Sequence, residues 1–317
     1  MKLDEKCLRI SALALLAAVL IHLSLPHIAQ AENTLARMLI FLESGRWATP
    51  VTQAIEQPPL IQKEDPVLPV FSPQEAEEIS LYNPVGYQVD TENLLVQPLQ
   101  WNLKTEAPTV LILHSHATES YENTENYQEL PDVRTLDPHY NMISIGDALA
   151  ACLEQAGIGV IHDRTHHDYP SYNSAYGNAR TAMQAYLDQY PSIQLVLDLH
   201  RDAYEDSQGN QLGYSVDWNG QSAAQLMLVV GTYHNEEQEP DWYENLALAT
   251  KIQIQLQRTC PGIVRPISIR SSHFNQDCDP RALLVEVGAA GNTRQEAILA
   301  VQALAQSIIA LSMGSRA

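Results

Sequence analysis

The chain has 317 residues, with 38 acidic against 18 basic and a formal net charge of −20. That excess of carboxylates speaks against a basic nucleic-acid-binding face, so no nucleic acid is expected among the partners. A prior of roughly 150 residues per domain would allow two domains. The globular patterning, however, is gathered in residues 108–313, which points to one.

The chain opens on Lys2, Lys6 and Arg9, followed by an apolar run over residues 10–25 broken only by Ser11, His22 and Ser24. A positive flank before such a run is an export signal, between a signal-peptide core and a full span of about 20 residues in length. Ala29-Gln-Ala31 fits a small-residue cleavage pattern. Cleavage after Ala31 would release a secreted protein; retention, favoured by the length of the run, would leave residues 10–25 as a membrane anchor. Either way residues 1–31 place the rest outside the cytoplasm. Residues 32–107 hold Pro50, Pro58, Pro59, Pro66, Pro69 and Pro73 among scattered acids. Such a stretch buries too little to offset chain entropy and reads as a spacer. A short helix over 34–42 and a strand pair over 81–96 are its candidate elements.

Strands and helices then alternate. Residues 110–114 form an apolar strand, and a polar loop runs from Glu119 to about Tyr140. A helix covers 142–156, with Ile145, Leu149, Cys152 and Leu153 at helical spacing and Gly157 closing it. A strand at 159–162, a helix at 172–190 and a strand at 195–199 follow. Next come a strand at 226–231, a helix at 243–256 and strands at 267–269 and 283–287. Asn292 is the expected cap of a last helix from Thr293 to about Leu311, with Ile298, Val301, Leu304 and Ile308 on one side. The pattern predicts an α/β domain over 108–313, a mainly parallel sheet with helices on both faces.

Three apolar strands end in or carry chemistry. Residues 109–121, Thr-Val-Leu-Ile-Leu-His-Ser-His-Ala-Thr-Glu-Ser-Tyr, pass from strand formers to His114, His116 and Glu119. Residues 195–202 end in Asp198-Leu-His200-Arg201-Asp202. Residues 282–288 carry Glu286. Ligands bind beyond the carboxyl ends of strands in such sheets. Histidines with a carboxylate suit zinc, and a further carboxylate suits proton transfer to and from a water. His114 and His116, two apart, share a side if the backbone is extended there. Glu119 is within reach of His116 if a turn follows. Asp198 shares a side with His200 and could orient its imidazole. Glu286 in an apolar strand is either the acid/base or the ion-pair partner of Arg201 or Arg281.

Single strand-end histidines are more often structural than catalytic; repetition over three strands raises this set above that reading. His162, His166 and His167 sit in a polar stretch and read as a solvated loop or a groove lining. Cys152, Cys260 and Cys278 have no metal-type spacing, and Cys152 is a small core residue on its helix. A thiol hydrolase using Cys278 and His273 is a weaker alternative, because Cys278 lies in a polar loop with nothing to lower its pKa.

Several linked motifs together resemble the stage II sporulation protein P family: His114-Ser-His-Ala-Thr-Glu-Ser-Tyr121, Ile161-His-Asp163, His167-Asp-Tyr-Pro-Ser-Tyr172, Asp198-Leu-His-Arg-Asp-Ala203, Phe274-Asn-Gln276 and Leu284-Val-Glu-Val-Gly288. The resemblance spans nearly all of 108–312 and includes the anchor and spacer. It implies a peptidoglycan hydrolase that cleaves the amide between N-acetylmuramic acid and L-alanine, and cross-links too. It also implies engulfment during endospore formation, with stage II sporulation proteins D and M as partners. The family is distantly similar to zinc-dependent N-acetylmuramoyl-L-alanine amidases, which implies an amidase-like fold, a zinc ion and a His, Glu, His ligand set. His200 fits the later histidine and Glu286 the catalytic glutamate. The early histidine is His114 or His116, since neither precedes the glycine pair of those amidases. The glutamate is Glu119 or, by spacing, Glu129. Asp198, Arg201 and Asp202 are expected around substrate or ligands, and Asn275 has no assigned role. A non-catalytic wall-binding scaffold of the same fold is the alternative function.

Overall fold

The apolar runs become strands of one seven-stranded sheet. The computed structural model describes residues 71–99, 102–122, 132–232 and 242–314, all within the unit Glu64–Ala317. The expected signal or anchor and most of the spacer lie outside the described residues. The strands are β1 (Leu81–Tyr82), β2 (Val110–Leu113), β3 (Val160–His162), β4 (Leu195–Asp202), β5 (Ser215–Trp218), β6 (Gln221–Ala224), β7 (Leu226–Gly231), β8 (Ile267–Arg270) and β9 (Ala282–Ala289). The helices are α1 (Thr91–Val96), α2 (Met142–Gln155), α3 (Ala175–Gln189), α4 (Trp242–Thr259) and α5 (Arg294–Gly314).

The sheet order is β1-β8-β7-β9-β4-β2-β3, and β5 with β6 forms a separate hairpin. Neighbours are parallel except β7 and β9, which pair antiparallel. The sheet is therefore mainly parallel, as expected, with one inversion that the alternating pattern did not foretell. Its cause is the link from β4 to β7. A parallel return needs a crossover, usually a helix, and this link holds the hairpin instead.

Strand alternation divides the core in two. Val110 and Ile112, Leu195, Leu197 and Leu199, and Leu283, Val285 and Val287 face one large cluster with Ile145 and Leu149 of α2, Leu246 and Ile252 of α4, and Val301, Leu304 and Ile308 of α5. Leu111, Leu113, Val196 and Ala282 face the other side, against Ala179 and Met183 of α3. Helices thus cover both faces, unequally. The side chains of Asp198, His200 and Glu286 alternate onto the thinly covered α3 side. α5 is long and apolar enough to cross a bilayer by composition, yet its inward residues are buried in the large cluster.

The cap of α5 differs from expectation. Thr293 and Glu296 bond reciprocally, Thr293 N to Glu296 Oε2 at 2.8 Å and Glu296 N to Thr293 Oγ1 at 3.2 Å, a capping box. The Asn292 side chain instead accepts from the backbone N–H of Ala289 and Tyr214, tying the end of β9 to the loop before β5.

Residues 71–99, placed in the expected spacer, pack on the domain. β1 adds to the sheet edge through Leu81 opposite Ile267, where a strand pair was expected over 81–96. The remainder of that stretch holds α1, capped by Asp90, which accepts from Asn93 N. Leu95 is buried against Ile254 and Ala76. Lys251 of α4 is buried, and its ammonium donates to Leu94 O at 2.6 Å, near the carboxyl end of α1.

Candidate active site

β2 ends at Leu113, and the backbone then turns. Two carboxylates from distant parts of the chain hold that turn. Asp198 accepts from Ser115 N at 2.8 Å and Ser115 Oγ at 2.6 Å. Asp168 accepts from Thr118 N at 3.2 Å and from Thr118 Oγ1. His114 and His116 therefore do not share a side. His114 continues the alternation of Val110 and Ile112 towards the large cluster. Its Nδ1 donates to Leu199 O at 3.1 Å, and its Nε2 lies 2.9 Å from His162 Nε2, while His162 Nδ1 is 3.0 Å from Asp147 Oδ1. A Cβ on Gly146 of α2 would come within 2.7 Å of His114 Nε2, so glycine there makes room for the imidazole pair. Burial, then the neighbouring His162, pushes His114 down to about 3. His114 is thus engaged on the far side from the other proposed ligands, and His162 is its partner rather than part of a solvated loop.

His116, Glu119, His200 and Glu286 do come together. His116 and His200 have ring centroids 5.2 Å apart. His200 Nδ1 is 3.7 Å from Glu119 Oε2, and that oxygen accepts from Arg201 N at 3.1 Å. In the parallel register of β4 and β9, His200 lies beside Glu286. His200 Nε2 is 2.9 Å from Asp198 Oδ1, an ion pair between two buried side chains, and its other ring nitrogen is the one turned to Glu119.

Electrostatics follow from this packing. Burial, then His200, lowers His116 to about 4. For His200, burial is outweighed by Asp198, Glu119 and Glu286, which raise it to about 10. Burial likewise opposes ionisation of Asp198, but His200 and Ser115 outweigh it and hold the carboxyl below its ordinary value. Burial raises Glu286 to about 8, with His200 opposing and Glu119 adding.

The remaining candidates have other partners. Arg201 is a staple: its guanidinium donates to the carbonyls of Ser120, Asp132 and Val133 at 2.7–3.1 Å. Asp202 faces Arg265, with Oδ2 3.2 Å from Nη1. Arg281 pairs with Asp279, so neither proposed arginine is tied to Glu286. Glu129 lies outside the described residues. The thiol alternative loses its basis: burial pushes Cys278 up to about 11, and His273 Nδ1 is 3.4 Å from Asp277 Oδ1.

Sequence reasoning left several site residues without a role. Tyr172 lies on His116 with centroids 4.2 Å apart, and Tyr176 lies parallel to His200 at 6.1 Å. Asn275, left-handed at φ 58, donates to Tyr176 O at 2.8 Å and so helps hold that ring's backbone. Asp163 binds His167 at 2.9 Å and helps brace the turn that presents Asp168. Their motifs were visible; the contacts join segments distant in sequence.

Among the described residues no three His, Cys, Asp or Glu side chains stand in coordination geometry. The donors nevertheless fit a zinc-type ion. His116 Nδ1 and Glu286 Oε2 are buried without a hydrogen-bond partner, a costly arrangement unless something else engages such atoms, and His200 Nδ1 faces Glu119 Oε2 at 3.7 Å. The imidazoles of His116 and His200 with the carboxylate of Glu119 are a usual zinc donor set, and Asp198 on Nε2 of His200 stands where an outer partner holds the ring nitrogen that does not bind the metal.

The fold and site define an α/β protein whose strand ends gather two histidines and several carboxylates on one face of a mainly parallel sheet. The chain belongs to the stage II sporulation protein P family: the sequence profile "Stage II sporulation protein P (SpoIIP)" matches residues 51–309. It is 25% identical over 243 residues to stage II sporulation protein P of Bacillus subtilis (strain 168), covering 73% of this chain and 58% of that one. The chain thus spans less than two thirds of that relative's length. Similar solved structures include an N-acetylmuramoyl-L-alanine amidase from Clostridium difficile 630, at 20% identity and a TM-score of 0.38, covering 65% of this chain and 94% of that one. Another is an N-acetylmuramoyl-L-alanine amidase of Nostoc punctiforme, at 13% identity and a TM-score of 0.39, covering 63% of this chain and 94% of that one.

Proposed function

We propose that the protein is a zinc-dependent peptidoglycan hydrolase that cleaves the amide between N-acetylmuramic acid and the L-alanine of the stem peptide, with peptide cross-links as a second substrate. The observation that carries this is the meeting of His116, Glu119, His200 and Glu286 on one face, with a partnerless buried nitrogen on His116 and a partnerless carboxylate oxygen on Glu286, in a chain of this family. His116, Glu119 and His200 would hold the metal, which when bound polarises the scissile carbonyl and acidifies a water. Glu286 would serve as the acid/base, accepting a proton at its partnerless Oε2 and giving it to the leaving amine. Burial keeps its carboxyl at about 8, a value near working pH that favours both directions of transfer. Asp198 fixes His200 and, through Ser115, the turn that carries His116. Arg201 fixes Glu119 through its own backbone N–H. Tyr176 covers the His200 ring and limits water beside it.

The same reading places the enzyme outside the cytoplasm, anchored by residues 10–25 and acting in engulfment with stage II sporulation proteins D and M. Purified peptidoglycan digested by the full chain, with and without a chelator, tests the chemistry through product masses. New L-alanine amino termini and peptide-free glycan that vanish on chelation are expected. Binding without cleavage in the zinc-loaded protein would replace the reading with a wall-binding scaffold.

A further inference from the structure

In the hydrolase reading Glu286 moves the proton, but no donor of the chain itself meets the carbonyl oxygen of the scissile amide. Attack on an amide carbon moves negative charge onto that oxygen, and a hydrogen-bond donor fixed beside it in advance lowers the barrier. The groups around His116 and His200 are mostly acceptors: Glu119, Asp198 and Glu286. Arg201 cannot supply the donor, because its buried guanidinium is bound to the carbonyls of Ser120, Asp132 and Val133.

Tyr176 stands where the donor is needed. It lies in the first turn of α3, and its ring neighbours both histidines of the site. The centroids are 5.2 Å apart for His116, edge-on at 77°, and 6.1 Å apart for His200, nearly parallel at 13°. Phe274 lies against the same ring at 5.8 Å. Asn275 donates to Tyr176 O at 2.8 Å, and Asn178 ties the start of α3 to His167 O, also at 2.8 Å. The ring is thus held by its neighbours and by its backbone, so its hydroxyl has a fixed aim. Burial first, then the carboxylates of Asp198, Glu119 and Glu286, raise its pKa. Those are the acids that surround the two imidazoles, which locates the hydroxyl at the site.

Among the described residues that hydroxyl makes no hydrogen bond. Its neighbours are committed elsewhere: Asp198 to Ser115 and His200, Glu119 to Arg201 N. Glu286 keeps a partnerless Oε2 of its own. A tyrosine hydroxyl is a neutral donor near pH 7, so a donor and an acid/base both stand uncommitted beside the imidazoles. The Tyr176 side chain is half-buried and keeps a side open to a ligand. Tyr172 is the poorer choice, because its ring is 46% exposed and water competes for its hydroxyl.

We propose that Tyr176 is a catalytic residue whose hydroxyl donates a hydrogen bond to the carbonyl oxygen of the scissile amide, most strongly as that oxygen gains negative charge. The proton stays on Tyr176, and proton transfer to the leaving amine remains with Glu286. The inference rests on the hydrolase reading and deepens it. Tyr176→Phe keeps the ring and removes only the donor. The zinc-loaded full chain and this variant are compared on a muramoyl-peptide and on its phosphinate analogue, in which a tetrahedral, negatively charged phosphorus group replaces the amide. The variant should lose about a hundredfold to a thousandfold in kcat, the scale of one oxyanion donor. KM should change by less than about threefold, because the contact is made mainly in the transition state. Affinity for the phosphinate, measured by calorimetry, should fall by a factor like that in kcat, while zinc content, Tm and the pH profile stay as in the parent. A kcat within about threefold of the parent overturns the proposal, as does a loss of phosphinate affinity no larger than the change in KM. Lost zinc or a lowered Tm would make Tyr176 a structural cover, and a moved pH profile would make it a proton donor; either overturns it too. A parent that cleaves no muramoyl amide ends the hydrolase reading and this role with it, whereas an active parent matched by its variant removes the role alone.

Discussion

Replacing Glu286 with glutamine should inactivate the protein and stabilise its metal-free form. Raising this carboxyl from 4.5 to about 8 makes its ionisation in the fold cost up to about 5 kcal/mol more than in the unfolded chain, at about 1.4 kcal/mol per pH unit. The sign follows from proton counting. Between pH 4.5 and 8 the folded chain keeps a proton that the unfolded chain releases, so the contribution of Glu286 to stability falls as pH rises through that window. It is full below 4.5 and lost above 8. Glutamine has no such dependence. The stability of Glu286→Gln relative to the parent should therefore grow by about 2–5 kcal/mol from pH 4.5 to 8, roughly 4–20 °C in Tm for a domain of this size. Thermal unfolding of chelated protein across that range measures it. On the zinc-loaded protein the same variant should keep its metal and lose about two to four orders of magnitude in single-turnover rate. A Tm difference flat with pH, or a rate within about tenfold of the parent, would refute the reasoning.

The two early histidines should separate cleanly. His116→Ala should drop bound zinc well below one per chain, and His200→Ala likewise, whereas His114→Gln should keep the zinc while lowering Tm; elemental analysis of purified variants decides, and zinc loss confined to the His114 variant would reverse the assignment. Lys251, lowered by burial to about 8 from 10.5, releases its proton in the fold before it does in the unfolded chain. Its contribution thus rises between pH 8 and 10.5, and the parent should gain up to about 3 kcal/mol on Lys251→Met across that window in chemical denaturation; a gap constant with pH would place the ammonium in water. A chain begun at residue 100 should lose cooperative unfolding and aggregate, while one begun at residue 71 should not. Removing α1 withdraws Leu94 and Leu95, each buried to within 5% exposure, together worth about 3–6 kcal/mol, a large share of a typical 5–15 kcal/mol; a cooperative transition in the shorter chain would show the segment to be dispensable.

Much was determined by the sequence alone, because it depends on near neighbours. The apolar runs at 110–113, 195–199 and 283–287 mark strands by composition. Alternation along a strand already puts Asp198 with His200, and Glu286 opposite Val285. Helix α2 was legible from its spacing and from Gly157, which sits at φ 80 after its end. What the sequence could not decide were relations between segments. The parallel register that sets His200 beside Glu286 joins strands far apart in the chain. The turn that parts His116 from His114 is held by Asp198, 83 positions from Ser115, and by Asp168, 50 positions from Thr118. The inversion of β7 depends on a hairpin replacing a crossover helix. The ordering of residues 71–99 depends on a lysine in α4 and on the open edge of β8. Local propensity and periodicity are properties of a few consecutive residues. Which imidazole faces which carboxylate is set by carboxylates and amides that meet only when the sheet has closed.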